Sequence, residues 1–178
     1  MILARVDKNV DVACRRYRAQ PETLGHILGL CRYTKALRIK RHDEVKSSIT
    51  EKQRRDNDDF IETTLRVGGG LLKPDLVIKN GKRVLVVDVI VRNENMDYLS
   101  KAEKGKVDKY LPCLSYLKEK FKVRGGDVLH VVLGSRGAIT PNTEKVLQRM
   151  GIADRDIKTI VVNVLRSSIE MRNIFLDG

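Results

Sequence analysis

Tryptophan is absent from this 178-residue chain, and aromatic residues make up only 4% of it. A surface that binds single strands by stacking bases needs exposed rings, so that mode of binding is disfavoured. Cysteine is scarce at three residues, Cys14, Cys31 and Cys113. An odd, widely spaced set does not suggest a disulfide framework, which leaves metal binding or burial. No run of about eighteen apolar residues occurs, so no membrane-spanning helix is expected. The opening MILARVDKNVDV lacks the apolar stretch of a signal peptide, and an intracellular location is expected. Acidic side chains are also in deficit, 23 against 35 Lys and Arg, for a net charge of +12. Such a surplus favours a polyanionic partner, nucleic acid before a membrane surface. Apolar residues reach 42%, enough for a folded domain with a core of its own.

The pattern along the chain is α/β. Residues 1–20 read as a basic arm or short helix. PETLGHILGLC carries Leu24, Ile27 and Leu28 at helical spacing, and 43–61 reads as a polar, exposed helix. Gly68–Gly70 break the chain. Strands are expected at Leu76–Lys79 and Lys82–Val91, joined by an Asn80-Gly81 turn. Residues 97–111 and 112–123 read as helical, with a break or kink at Pro112. DVLHVVLG at 127–134 reads as a buried strand. Thr140-Pro141 opens a helix that Gly151 stops. A last helix from about Asp154 places Ile157, Ile160, Val161, Val164 and Leu165 on one face. The order predicts a mixed sheet between helical layers.

Two acids stand out, in KPDLVIKNGKRVLVVDVIV. Val84–Val91 is apolar on both faces, yet Asp88 lies within it, and Asp75 precedes the first strand. An unpaired buried carboxylate is costly. With Asn80-Gly81 as the turn, Lys79 pairs with Lys82 and Asp75 stands opposite Val86. Asp88 then points to the same face, with its Cα roughly 7–8 Å from that of Asp75. Either acid alone could be salt-bridged to a nearby Lys or Arg. Together, on one face of an apolar hairpin, they suit a hard divalent cation, since Mg²⁺ needs only one or two protein carboxylates. Metal carboxylates in a basic protein suggest phosphodiester chemistry.

Pro74-Asp75, twelve residues and then Asp88 resemble the PD-(D/E)xK nuclease superfamily. Most members place a lysine two residues after the second acid, where this chain has Ile90. A narrower family accounts for the departure. The chain resembles the restriction-like endonuclease domain of site-specific non-LTR retrotransposons, the type that inserts into ribosomal RNA genes. In that family the lysine lies on the following helix, within K-x-x-K-Y, and here Lys106, Lys109 and Tyr110 match. Those three share one helical face by spacing. The alternative is that Lys106 and Lys109 belong to a solvated basic face.

The resemblance extends upstream, to a Cys-Cys-His-Cys knuckle followed by a basic RH segment. Cys14, His26 and Cys31 fall on three ligand positions, and Tyr17 stands where the fourth cysteine is expected. A structural zinc site normally has four ligands. Cys31 and His26 could instead be core residues, and His42 could supply a fourth ligand. The match covers about residues 12 to 135.

What the resemblance implies is as follows. The fold is a restriction-endonuclease-like mixed sheet over 43–178, with a degenerate knuckle and basic segment over 1–42. Asp75 and Asp88 bind Mg²⁺ or Mn²⁺. Lys106 positions water or stabilises phosphorane charge, supported by Lys109 and Tyr110, and Zn²⁺ is a second candidate ion. Arg38, Lys40, Arg41, His42 and Arg66 are candidate contacts to double-stranded DNA, unless they form an ordinary solvated face. Cleavage leaves a 3′-hydroxyl that primes reverse transcription, with element RNA and an upstream reverse transcriptase domain of the same polyprotein as partners. A nuclear site of action follows, and Met1 is then not the natural start. Two other readings stay open, a non-catalytic nucleic-acid-binding module from a decayed element and a free-standing PD-(D/E)xK repair or resolvase enzyme.

Overall fold

A computed structural model describes residues 13–18, 20–53, 59–61, 64–67, 69–94, 99, 102 and 107–178. Its centre is a four-stranded mixed sheet. Strands β1 (Asp59–Ile61), β4 (Leu76–Asn80), β5 (Arg83–Arg92) and β6 (Gly125–Gly134) lie side by side in that order. β1, β4 and β5 pair antiparallel, whereas β5 and β6 run parallel. A parallel pair needs a crossover, and helix α3 (Val107–Phe121) lies between the two strands in sequence. Strands β2 (Leu65–Val67) and β3 (Gly70–Leu72) form a separate small ribbon. The expectation of a mixed sheet between helices is met.

β5 is buried on both faces, and its alternation separates two cores. Leu85, Val87 and Val89 join one cluster with Val45, Ile49, Val146, Leu147, Ile157, Ile160 and Val164. These come from helices α2 (Lys35–Gln53), α4 (Pro141–Arg149) and α5 (Asp154–Asp177). Val84 and Val86 join the other with Tyr110, Cys113, Leu114 and Leu117 of α3. Asp88 shares the even-numbered face and so points toward the α3 side of the sheet.

Several local expectations are corrected. The hairpin loop is Gly81-Lys82, because Asn80 pairs with Arg83 and Val77 with Val86. Gly81 has φ +55, and among non-glycine residues described only Arg18 and Lys122 have positive φ. An Asn-Gly type I′ turn needs positive φ at both central residues, whereas a type II′ turn needs glycine first. The slide is two residues, so every side chain keeps its face. Continued one step beyond Leu76↔Val87, this register sets Asp75 beside Asp88 rather than opposite Val86.

α2 runs over 35–53, not 43–61, and Asp59–Ile61 are strand. Arg41, Val45, Ile49 and Gln53 form its buried stripe at four-residue spacing. Half of that stripe is polar, which hid the periodicity. The boundary expected at 42/43 falls inside α2. α3 passes through Pro112 without a break. Thr140 caps α4 as expected, accepting from Thr143 N at 3.1 Å, with Pro141 in the first turn. Leu165, expected on the buried face of α5, is exposed.

The N-terminal part folds onto the far end of α5. Helix α1 (Leu24–Gly29) is capped by Thr23, and Cys14, Ile27, Leu28 and Cys31 pack against Met171 and Phe175. Arg38 donates to Gly29 O and Cys31 O, and Arg41 to Leu28 O. Both guanidinium groups thus satisfy carbonyls left open at the end of α1. Among the described residues no helix is long and apolar enough to cross a membrane.

Candidate active site

A cleft of about 840 Å³ opens between α1, the first half of α2 and the C-terminal half of β5. Asp75, Asp88 and Tyr110 line it, with Lys35, Arg38 and Arg92 as cationic wall. Both acids and the aromatic of K-x-x-K-Y therefore meet in one place.

Asp75 sits in the loop before β4. Its Oδ2 accepts the Val89 backbone N–H at 2.7 Å and lies 3.4 Å from His42 Nε2. Burial opposes its charge, but the His42 imidazole, the Val89 N–H and Lys46 outweigh that and hold its carboxyl below the usual range. Asp88 is only 3% exposed. It pairs in register with His130 of β6, whose Nδ1 lies 4.0 Å from Asp88 Oδ2. His130 is a site neighbour that the sequence reading passed over. The signal was available, since it is the lone polar residue in VLHVVL, as Asp88 is in VLVVDVIV.

Tyr110 fastens α3 to the loop that carries Asp75. Its hydroxyl donates to Lys73 O at 3.1 Å and accepts from Lys109 Nζ at 3.0 Å. The Lys109 ammonium also lies 4.6 Å from the Tyr110 ring centroid, within cation–π range. Lys106 lies outside the described residues. Ile90, two residues after Asp88, lines the cleft and is buried.

The candidate DNA contacts separate. Arg38 lines the cleft. Arg41 also borders the cleft, but it is 2% exposed and donates to Ser168 Oγ at 2.7 Å. Burial lowers its pKa to about 10, with the Arg38 charge adding to the effect, so it stays charged at neutral pH. Lys40 points away from the cleft, toward Glu44 and Glu170. Arg66 lies on the small ribbon, exposed and outside the cleft lining.

His42 faces the acids instead of bulk solvent. Asp75 raises its pKa to about 9, against the opposing effect of burial, with Asp43 on its other nitrogen. Its folded value thus stands above the ordinary 6.5. The stability it contributes is complete below that ordinary value and is lost as pH rises through about 9. With divalent ions chelated, the wild-type unfolding midpoint should decline over this window and the His42→Gln midpoint should not. Parallel declines would place the effect elsewhere.

A second cluster lies at the back of the same region. Cys14, His26 and Cys31 are all buried, and their ligand atoms lie within 4.8 Å of one another. No other group of three such ligands, the acid pair and His42 included, is this tight among the described residues. The two Sγ atoms are 3.8 Å apart, matching the ~3.8 Å expected of two thiolates held at ~2.3 Å by one tetrahedral zinc. Gln20 Oε1 lies 3.1 Å from His26 Nδ1, so it fixes the ring with Nδ1 protonated. His26 Nε2 is then a free acceptor, buried and without a hydrogen-bond partner. The residues fit a zinc ion with three protein ligands. Tyr17 is half exposed, and Cys113 is buried in the α3 core.

No protein-family model matches the chain. It is 31% identical over 168 residues to the retrovirus-related Pol polyprotein from a type-1 retrotransposable element R2 of Popillia japonica, covering 92% of this chain and 34% of that protein. A second R2 Pol polyprotein, from Bradysia coprophila, is 30% identical over 93% of this chain and 19% of its own length. The type-2 element R2DM of Drosophila melanogaster gives 29% identity over 88% of this chain and 15% of its own length. Among solved structures, a phenuiviridae cap-snatching endonuclease aligns with a TM-score of 0.45 and 15% identity, over 89% of this chain and 68% of its own. The chain spans about a third or less of the length of these sequence relatives. Its homologues are thus R2 retrotransposon Pol polyproteins, which it matches along nearly all of its own length.

Proposed function

We propose that this chain is the endonuclease domain of an R2-type retrotransposon polyprotein, with a restriction-endonuclease-like PD-(D/E)xK fold. In this reading it cuts double-stranded DNA in a divalent-metal-dependent reaction. The observation that carries it is the convergence of Asp75, Asp88 and Tyr110 in one cleft walled by Lys35, Arg38 and Arg92. Two carboxylates able to hold a divalent ion, beside a cationic wall, suit a phosphodiester whose negative charge the ion would meet on one side and Lys and Arg on the other. Bound there, Mg²⁺ or Mn²⁺ would polarise the scissile phosphate and lower the pKa of attacking water.

The chain's own residues divide the remaining work. Asp75 and Asp88 would hold the ion. Tyr110 holds the loop of Asp75 through Lys73 O. Lys106, four residues before Tyr110, would supply the cationic group that Ile90 cannot. Lys35, Arg38 and Arg92 would contact phosphates, which gives affinity without sequence readout. The product would carry a 3′-hydroxyl able to prime reverse transcription of element RNA by a polymerase domain of the same polyprotein, in the nucleus. A zinc ion at Cys14, His26 and Cys31 would brace α1 against α5.

The test is nicking of supercoiled plasmid, present with Mg²⁺ or Mn²⁺ and abolished by EDTA. DNA affinity should fall steeply with salt as counterions are released. Steep binding without nicking in either ion would favour the non-catalytic module. For the second ion, the purified chain should carry about one zinc per molecule. Cys31→Ser should lose that zinc and unfold at lower temperature, while equal metal content in the variant would refute the assignment.

A further inference from the structure

His42 is the side chain at this cleft that the proposed mechanism leaves without a task. It was expected to meet DNA phosphates, yet its ring is turned inward. Nε2 lies 3.4 Å from Asp75 Oδ2. Nδ1 lies 3.2 Å from Asp43 Oδ1 on the opposite edge. Its side chain is 30% exposed, against 57% for Asp43. A carboxylate behind an imidazole whose far nitrogen faces another carboxylate is the arrangement that orients metal-binding histidines. In the metal-free chain the proton on Nε2 faces Asp75; an ion entering beside Asp75 would displace it, while Asp43 keeps the proton on Nδ1. Adjacent ligands at ~2.1 Å from one octahedral ion stand about 3.0 Å apart, so a small inward movement would bring both onto one ion.

The geometry points to His42 as a nitrogen ligand of the divalent ion assigned to Asp75 and Asp88, and as the residue that makes the site prefer Mn²⁺ to Mg²⁺. This inference rests on the metal-dependent reading above and adds a selectivity to it. Mg²⁺ seeks oxygen and keeps its water, whereas a first-row transition ion gains from an imidazole. An acid pair alone would discriminate little between the two ions. Asp43 is then a positioning residue, acting on the ion only through His42.

Calorimetric titration of the 178-residue chain with each ion alone, without DNA, tests this directly. The wild type should bind Mn²⁺ about tenfold or more tighter than Mg²⁺. His42→Ala and His42→Gln should bring the two affinities within about threefold, chiefly by weakening Mn²⁺. Asp43→Asn should cost Mn²⁺ affinity roughly tenfold, as expected of a group orienting a ligand. Thermal unfolding of each variant shows that the fold survives, and the glutamine variant serves if alanine destabilises it. An unchanged Mn²⁺ to Mg²⁺ ratio in both His42 variants overturns the inference. So does an equal loss of both ions accompanied by a lower unfolding midpoint, which would mark a structural role. Asp75→Asn and Asp88→Asn separate this failure from that of the underlying reading. If they weaken both ions while His42 variants change nothing, only the His42 assignment falls. If they leave both affinities intact, or if the wild type binds neither ion, the metal reading falls with it.

Discussion

Asp75→Asn and Asp88→Asn should each lower the rate of plasmid nicking about a thousandfold or more, in Mg²⁺ and in Mn²⁺ alike. The amide keeps the shape of the carboxylate and removes its charge. That distinction matters at both positions. Asp88 is 3% exposed beneath α3, so an alanine there would leave a void in the sheet face. The Asp75 carboxylate accepts the Val89 N–H, and the amide oxygen of asparagine can still accept it. Folding should therefore be retained, as read by the unfolding midpoint. DNA affinity should not fall, because a negative charge is being taken from a site that faces phosphate. A variant that nicks at the wild-type rate would remove its acid from the metal site. One that fails to fold would assign the acid to the core, and loss of DNA binding with the fold intact would move it to the interface.

Lys106→Ala should slow nicking by about two orders of magnitude or more while changing DNA binding little. Ile90 occupies the cleft where a lysine two residues after the second acid would stand. It is buried and apolar, so a cation for the developing phosphorane charge must come from another element. α3 is the helix that covers this face of the sheet, and Tyr110 on it reaches the loop of Asp75. Lys106 lies outside the described residues; the K-x-x-K-Y spacing, four residues before Tyr110, is what proposes it for this role. Lys104→Ala, at a position outside the K-x-x-K-Y pattern, should be mild. Lys109→Ala should be intermediate, because Lys109 acts on the Tyr110 hydroxyl and not from the cleft lining. The measurement is single-turnover nicking at saturating protein, with binding read separately by gel shift. Equal rates for Lys106→Ala and wild type would end the displaced-lysine assignment. Equal losses at 104 and 106 would point to general charge, not to a placed ammonium.

Much of the architecture follows from one-dimensional pattern. The doubly buried strand was legible because seven of the eight residues Val84–Val91 are apolar, and only Asp88 interrupts them. The face of each paired residue was legible as well, and both acids line one cleft. Moving the loop from Asn80-Gly81 to Gly81-Lys82 slides the pairing by two residues, and side chains alternate with a period of two. Which residue faces which across the hairpin was not legible, because it depends on Gly81, with φ +55, taking the first place of the loop. The three metal-type ligands Cys14, His26 and Cys31 were singled out in sequence. Their meeting needed α1 to turn back against α5, which joins residues more than a hundred positions apart.

What the sequence by itself determined was chemical identity and periodicity: the basic balance, the apolar strand, the two acids of the hairpin segment and the K-x-x-K-Y pattern. These are local properties, carried by residues within a few positions of each other. Tertiary structure alone decided the rest. It buried Arg41 against Ser168 and turned Lys40 toward Glu170. It set His130 beside Asp88 by parallel pairing and aimed His42 at Asp75. Arg41, Lys40 and His42 are consecutive neighbours or nearly so in a basic segment, and composition treats them alike. On a helix they point about 100° apart per residue, so Arg41 meets Ser168, Lys40 a distant carboxylate and His42 the acid of the cleft. Their environments are built by chain segments far away in sequence, and no local pattern encodes those.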